Sequence, residues 1–239
     1  MALPRLNELP QYELVIPSTQ QTVKYRPFLV KEQKVLILAL ESQEQRQVLN
    51  AILNCIDACV DGIDIKNLAT FDVEYMFSQI RSKSVGETTT VNLLCDKCKE
   101  YSPVKINLEE IKLQNDIDTG KKYIQLTPDI AVELKYPTYH EFLDTKAVKE
   151  DQISVNMIYE MMGSCISAVI INDEERIDIK DESAEEVEKF VNSLTTEQFE
   201  KIAEFVEAIP KISMNVDFAC ESCNEPNNRT LEGLTDFFS

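Results

Sequence analysis

Glycine and histidine are scarce: the 239 residues include five glycines and a single histidine, His140. No GxxxxGK[ST] or GxGxxG occurs, which excludes the usual loops that cradle phosphate against a helix N-terminus. A Ser/His/Asp or Cys/His arrangement would have only His140 to use, and no GxSxG or comparable nucleophile context accompanies it. Beside Tyr139 and Glu141, His140 reads as a surface or partly packed side chain. Basic residues are also in deficit, with 24 Lys and Arg against 42 Asp and Glu and a net charge of −18. A chain that must neutralise phosphates carries the opposite balance, so a general nucleic-acid binder is disfavoured. The longest apolar runs, Val35–Leu40 and Ile166–Ile171, fall far short of the roughly 20 residues that cross a bilayer. Nothing in the first residues resembles a basic n-region followed by an apolar h-region, so no secretory leader is expected.

What is present suits a soluble α+β protein of one large domain or two small ones, 44% hydrophobic and 28% charged. Tyr12–Ile16 and Thr22–Tyr25 alternate apolar and polar residues around a Pro/Ser turn and predict a β-hairpin. Val30–Ser42 is helical and apolar nearly all round in its second half, as expected of a buried helix. A second helix carries Val48, Leu49, Ile52, Leu53, Ile56, Cys59 and Val60 on one face, and a third runs from Phe71 to Lys83 with Asp72 complementing the dipole at its start. Beyond Gly86 the period becomes two, predicting central antiparallel strands around Val91–Leu93, Val104–Leu108, Tyr123–Leu126 and Ala131–Tyr136. Thr138 and Glu141 form a capping box, and a further helix is expected from Ile153 to Ala168.

Between Asn172 and Glu207 stand thirteen acidic and four basic residues. Ser183 with Glu186 and Thr195 with Gln198 mark two amphipathic helices with acidic outer faces, ended by Pro210. Asp173-Glu-Glu175 reads as a solvated turn, its functional alternative being an acidic docking surface for a basic partner. A last strand, with Met214, Val216 and Phe218 alternating, leads to a tail that either packs or presents Phe237 and Phe238 to another chain. Four regions result: 1–86, a β-hairpin plus helices; 87–136, β-rich; 137–210, helical and acidic; and 211–239, strand and apolar tail.

Chemistry concentrates in the cysteines. Val91-Asn-Leu-Leu-Cys95-Asp-Lys-Cys98 and Val216-Asp-Phe-Ala-Cys220-Glu-Ser-Cys223 both read V-x-[LF]-x-C-[DE]-x-C, and position 220 lies 125 beyond position 95. Each is a strand running into a CxxC knuckle. Two knuckles supply four soft thiolates for the tetrahedron that Zn²⁺ prefers, leaving no open position for catalysis. Cys95, Cys98, Cys220 and Cys223 are therefore the expected ligands of a structural zinc of zinc-ribbon type, joining 87–136 and 211–239 into one stapled unit. Iron is allowed by the same ligands. A thioredoxin-like redox pair would sit at a helix N-terminus in a βαβ context, which neither pair does. Cys55, Cys59 and Cys165 read as buried thiols.

Several blocks carry a resemblance. Met1-Ala-Leu-Pro-Arg-Leu-Asn7, Tyr12-Glu-Leu, Ile16-Pro-Ser-Thr19, Val23–Glu32, Thr70-Phe-Asp-Val-Glu-Tyr-Met-Phe77, Arg81–Glu87 and the pair Cys95/Cys98 resemble the T4-type phage baseplate protein family. Beyond them the likeness rests on length, order and the closing Cys220/Cys223 pair. The resemblance implies a non-enzymatic component of the tail baseplate hub, or a hub assembly factor. It would be made in the host cytoplasm and would contact other phage tail and baseplate hub proteins, with no small-molecule substrate and no membrane. Within that reading, an assembly chaperone for a hub or tape-measure protein would be absent from the mature virion. From a different class, a zinc-ribbon transcriptional regulator would need a basic face around the knuckles, whereas Asp96, Lys97, Lys99, Glu100, Glu221 and Glu225 are mixed to acidic.

Overall fold

Alternation in Tyr12–Val15 (β1) and Thr22–Tyr25 (β2) turns Leu14, Val23 and Tyr25 inward, and the two strands pair antiparallel with Tyr12 opposite Tyr25. In this computed structural model residues 9–42, 44–115, 117, 122–144, 155–172 and 174–238 are described. Met1–Asn7, Ile153 and Asp173, which the sequence reading invoked, lie outside them, as does the side chain of Phe238.

The chain divides into two compact units. One holds Met1–Ile65, Phe71–Asp116 and Pro210–Ser239; the other holds Lys66–Thr70 and Ile117–Ile209. Residues 87–115 therefore belong to the first and 122–136 to the second.

In the first unit, Val30–Ser42 (α1) packs on Gln45–Cys59 (α2), whose Ala51, Ile52, Cys55, Ile56 and Cys59 are buried. The helix α1 was expected to be buried and is not. Its buried residues are Glu32 and Ala39, while Val35, Ile37, Leu38 and Leu40 stand exposed, because α2 covers only one side of it. Glu32 anchors the helix start by accepting from Arg26 (3.0 Å) and from the backbone N–H of Leu29 (2.8 Å). Burial pushes its carboxyl up, but the Arg26 and Leu29 hydrogen bonds outweigh that and hold it below its ordinary value.

Thr70–Val85 (α3) buries Phe71, Val73, Met76, Phe77 and Ile80 and ends before Gly86, whose φ of +126° suits only glycine. Asp72 does more than meet the helix dipole: fully buried, it accepts from the backbone N–H (2.8 Å) and hydroxyl (2.5 Å) of Ser18, tying the β1–β2 turn to α3. Two hairpins follow far apart in sequence, Thr88–Leu94 (β3) with Tyr101–Asn107 (β4), and Lys211–Ala219 (β10) with Pro226–Glu232 (β11). A short strand, Lys112–Gln114 (β5), joins β10 antiparallel, so the chain leaves for the second unit and returns through neighbouring strands. Gly233–Phe238 (α8) closes the unit with Leu234 and Phe237 buried.

The second unit is built on one antiparallel sheet, Lys122–Thr127 (β6), Ile130–Leu134 (β7), Ile166–Ile171 (β8) and Glu175–Asp178 (β9), in that order. Tyr139–Asp144 (α4) starts with the expected reciprocal bonds between Thr138 and Glu141 (2.9 and 3.2 Å). The helix expected to run to Ala168 stops three residues earlier. It spans Val155–Cys165 (α5), and the β-branched run from Ile166 becomes the central strand β8. Ala184–Asn192 (α6) is capped by Ser183, and Thr196–Glu207 (α7) by a full box of Thr195 and Gln198. Inside the sheet, buried Glu133 on β7 accepts Arg176 from β9 through both oxygens (2.6 and 3.1 Å) and Ser167 from β8 (3.0 Å). This ties three strands with one charged group.

Candidate metal centre

The two cysteine knuckles sit at the tips of the β3–β4 and β10–β11 hairpins. Each hairpin ends in a matching tight loop. The backbone N–H of Cys95 donates to Glu100 and that of Cys220 to Glu225, both at 2.9 Å, while the N–H groups of Lys99 and Asn224 return to Cys95 and Cys220 (3.1 and 2.9 Å). Lys99 and Asn224 take positive φ, +61° and +55°, closing the turns. The registers agree as well: Thr88 faces Asn107 and Leu94 faces Tyr101, as Ser213 faces Glu232 and Ala219 faces Pro226. All four positions shift by the offset of 125 that relates Cys95 to Cys220. The repeat read from the knuckles is thus a repeat of whole hairpins.

The hairpins bring the four thiols together. All four Sγ atoms lie within 4.8 Å of one another, with Cys95 to Cys223 at 3.7 Å and Cys98 to Cys220 at 3.5 Å. A tetrahedron of metal–sulfur bonds of about 2.3 Å has edges of about 3.8 Å, so the spacing fits a four-thiolate ion and is far too long for disulfides. Cys95 and Cys220 are buried, Cys98 and Cys223 partly so.

Hydrogen bonds prepare the sulfurs for negative charge. Backbone N–H groups of Cys98 and Lys97 reach Cys95, and those of Cys223 and Ser222 reach Cys220; they lower both thiols, Cys220 to about 6. Cys98 also accepts a backbone N–H, from Glu100, but burial and the three neighbouring thiols prevail and push it up to about 12. Four thiols this close cannot all ionise without a cation between them, which is the chemistry a divalent metal supplies.

Two supporting residues were missed by sequence reasoning. Ser102 donates its hydroxyl to Cys220 Sγ, and Asn227 donates its amide to Cys95 Sγ, both at 3.6 Å. Each also accepts a backbone N–H from the opposite knuckle, Glu221 to Ser102 (3.0 Å) and Asp96 to Asn227 (2.9 Å). Ser102 stands seven residues after Cys95 and Asn227 seven after Cys220, so carrying the 125-residue alignment a few positions past the cysteines would have found them. Outside this shell, Lys97 pairs with Glu225 (2.6 Å) and Arg229 with Asp96.

The remaining candidates lie elsewhere. Cys55 and Cys59 are buried in α2, where Arg26 donates to Cys59 Sγ (3.6 Å), and Cys165 is buried at the end of α5, its thiol pushed up to about 12 by desolvation. His140 is exposed on α4. Among the described residues no helix is long and apolar enough to cross a membrane.

Comparison with known proteins yields one finding. Neither the curated proteins nor the solved structures give a match. A family model described as T4 bacteriophage base plate protein matches residues 9–239, nearly the whole chain. The chain therefore belongs to the T4 bacteriophage base plate protein family.

Proposed function

We propose that the protein works without catalysis in building the hub of the phage tail baseplate, through contacts with other tail proteins, and that Zn²⁺ bound by Cys95, Cys98, Cys220 and Cys223 fastens its fold. The family match carries the baseplate role. The closed four-sulfur cluster supports a structural metal, since four protein ligands leave no coordination position for water or substrate. Seven cysteines without a disulfide fit manufacture in the reducing host cytoplasm. The charge of −18, with exposed Glu185, Glu186, Glu188, Glu197, Glu200 and Glu204 on α6 and α7, suits docking to basic or amphipathic segments of tail proteins and opposes nucleic-acid binding.

Infection with phage lacking the chain tests this reading. Tails without baseplates, together with recovery of hub proteins on the tagged chain from infected cells, is the expected result. Normal baseplates, or recovery of polymerase or nucleic acid with no tail protein, would overturn it. The same preparation sorts the two forms of the role: a hub subunit remains in purified virions, and an assembly factor does not.

A further inference from the structure

The four clustered cysteines are not equivalent. Cys95 and Cys220 are buried, whereas Cys98 and Cys223, the second of each knuckle, are partly exposed. Each partly exposed thiol has a buried one beside it on the other hairpin: Cys98 lies 3.5 Å from Cys220, and Cys223 lies 3.7 Å from Cys95. The buried sulfurs are fastened in the same crossed sense. Ser102, on the hairpin of Cys98, donates to Cys220 Sγ, and Asn227, on the hairpin of Cys223, donates to Cys95 Sγ. Each also accepts the backbone N–H of the residue after the sulfur it holds, Glu221 at 3.0 Å and Asp96 at 2.9 Å.

Thiolates gathered for a metal are also open to oxidation, and an accessible sulfur with a second one in reach ends in a disulfide rather than in higher oxides. Given the zinc site proposed above, on which this rests, we infer that peroxide converts the metal staple into a covalent one, expelling zinc and forming the crossed disulfides Cys98–Cys220 and Cys95–Cys223. The Cys98 thiolate attacks peroxide and breaks its O–O bond, giving a sulfenic acid and hydroxide. The Cys220 thiolate then attacks the sulfenic sulfur, making the S–S bond and releasing a second hydroxide. A second peroxide does the same at Cys223 and Cys95. Four thiolates thereby give four electrons to two peroxides, and Zn²⁺ leaves for want of ligands.

Crossed pairing follows from what holds each sulfur. Cys220 is tied by Ser102 to the hairpin that carries Cys98, and Cys95 by Asn227 to the hairpin that carries Cys223. The crossed sulfurs need approach by only about 1.5 Å to reach bonding distance. A bond within one knuckle would instead draw Cys98 back across a turn that the Cys95–Glu100 and Lys99–Cys95 backbone bonds hold closed, and would leave the hairpins unjoined once the ion had gone. The crossed bonds span 122 and 128 positions of sequence, so they restrain the chain as the metal did. In a hub subunit that leaves the reducing cytoplasm of its host, the staple would then outlast the metal.

Titration of the full, zinc-loaded chain with hydrogen peroxide tests this, with zinc counted first by native mass spectrometry. About two equivalents should release the zinc to a chromogenic chelator and leave a chain lighter by four hydrogens than the reduced, metal-free one. Cleavage after Lys97 and after Glu221 parts the two cysteines of each knuckle, so peptide mapping reads the pairing directly. Cys98 with Cys220 and Cys95 with Cys223 are expected, and the oxidised chain should melt above the reduced, metal-free chain. Zinc retained in excess peroxide, disulfides within the knuckles, or sulfinic acids in place of disulfides would overturn the crossed staple and leave the zinc site standing. A reduced chain that holds no zinc would overturn the zinc site itself, and the staple with it.

Discussion

Ser102 and Asn227 each hold a sulfur of the hairpin to which they do not belong, so their effect should show in how long the metal is kept rather than in whether the four thiols meet. Asn227→Ala leaves Cys95 Sγ and the Asp96 N–H without that partner. Zinc should then pass to a competing chelator about 10–100-fold more readily. Unchanged retention would remove Asn227 from the site. A desolvated carboxyl away from the cysteines makes stability depend on pH. Glu74 on α3 accepts the backbone N–H groups of Ile212 and Leu234, yet desolvation prevails over those bonds and over Lys211, raising it from 4.5 to about 7. Its folded value lies above its unfolded one, so its contribution to stability is full below pH 4.5 and is lost as pH rises toward and through 7. In Glu74→Gln the thermal midpoint should stop falling between pH 4.5 and 7 and exceed that of the wild type at pH 8. A wild-type midpoint flat across that range would contradict this. All three residues act on groups more than a hundred positions away. Ser102 and Asn227 were within reach only by extending the 125-residue repeat past the cysteines, and Glu74, an ordinary polar residue in sequence, carried no such signal.

The elements were legible where their signals are local. The hairpin β1–β2, the helices α2 and α3, the Thr138–Glu141 box and the caps of α6 and α7 follow from alternation, periodicity and side chains a few residues apart. Errors arose where a tertiary partner decides. Ile166–Ile171 is apolar enough for helix or strand, and pairing with β7 and β9 makes it a strand. The strands β5, β9 and β11 are short or polar and exist through their neighbours. The α1 face looked buried because apolar residues usually are, and only the placement of α2 reveals that one side stays open. The β9 strand supplies a direct test. Arg176 neutralises buried Glu133, so Arg176→Ala leaves a carboxylate buried with only part of its hydrogen bonding and should destabilise the fold, the exposure of Arg176 itself limiting the loss. Urea unfolding at neutral pH should register that loss, and a change within about 0.5 kcal/mol would show that the pair is energetically idle.

At the scale of the whole molecule, the cysteines join two hairpins separated by Ile117–Ile209, the larger segment of the second unit. The chain departs after β5 and returns in β10, its paired neighbour, so a metal at the hairpin tips fixes both ends of that excursion. Cross-linking a loop on the order of 100 residues restrains the unfolded chain by about 4–5 kcal/mol in the entropic model. A bound ion adds its own affinity. The knuckles were plain in sequence because CxxC spacing and a repeated strand signature are local, whereas the pairing of whole hairpins needed the fold. Native mass spectrometry of the full chain, compared with Cys223→Ser and Cys165→Ser, tests the four-ligand site most directly. One zinc per chain is expected in the wild type and in Cys165→Ser, and little or none in Cys223→Ser, which should also unfold at lower temperature. Undiminished zinc in Cys223→Ser, or a wild type that holds no metal, would contradict the four-cysteine zinc centre.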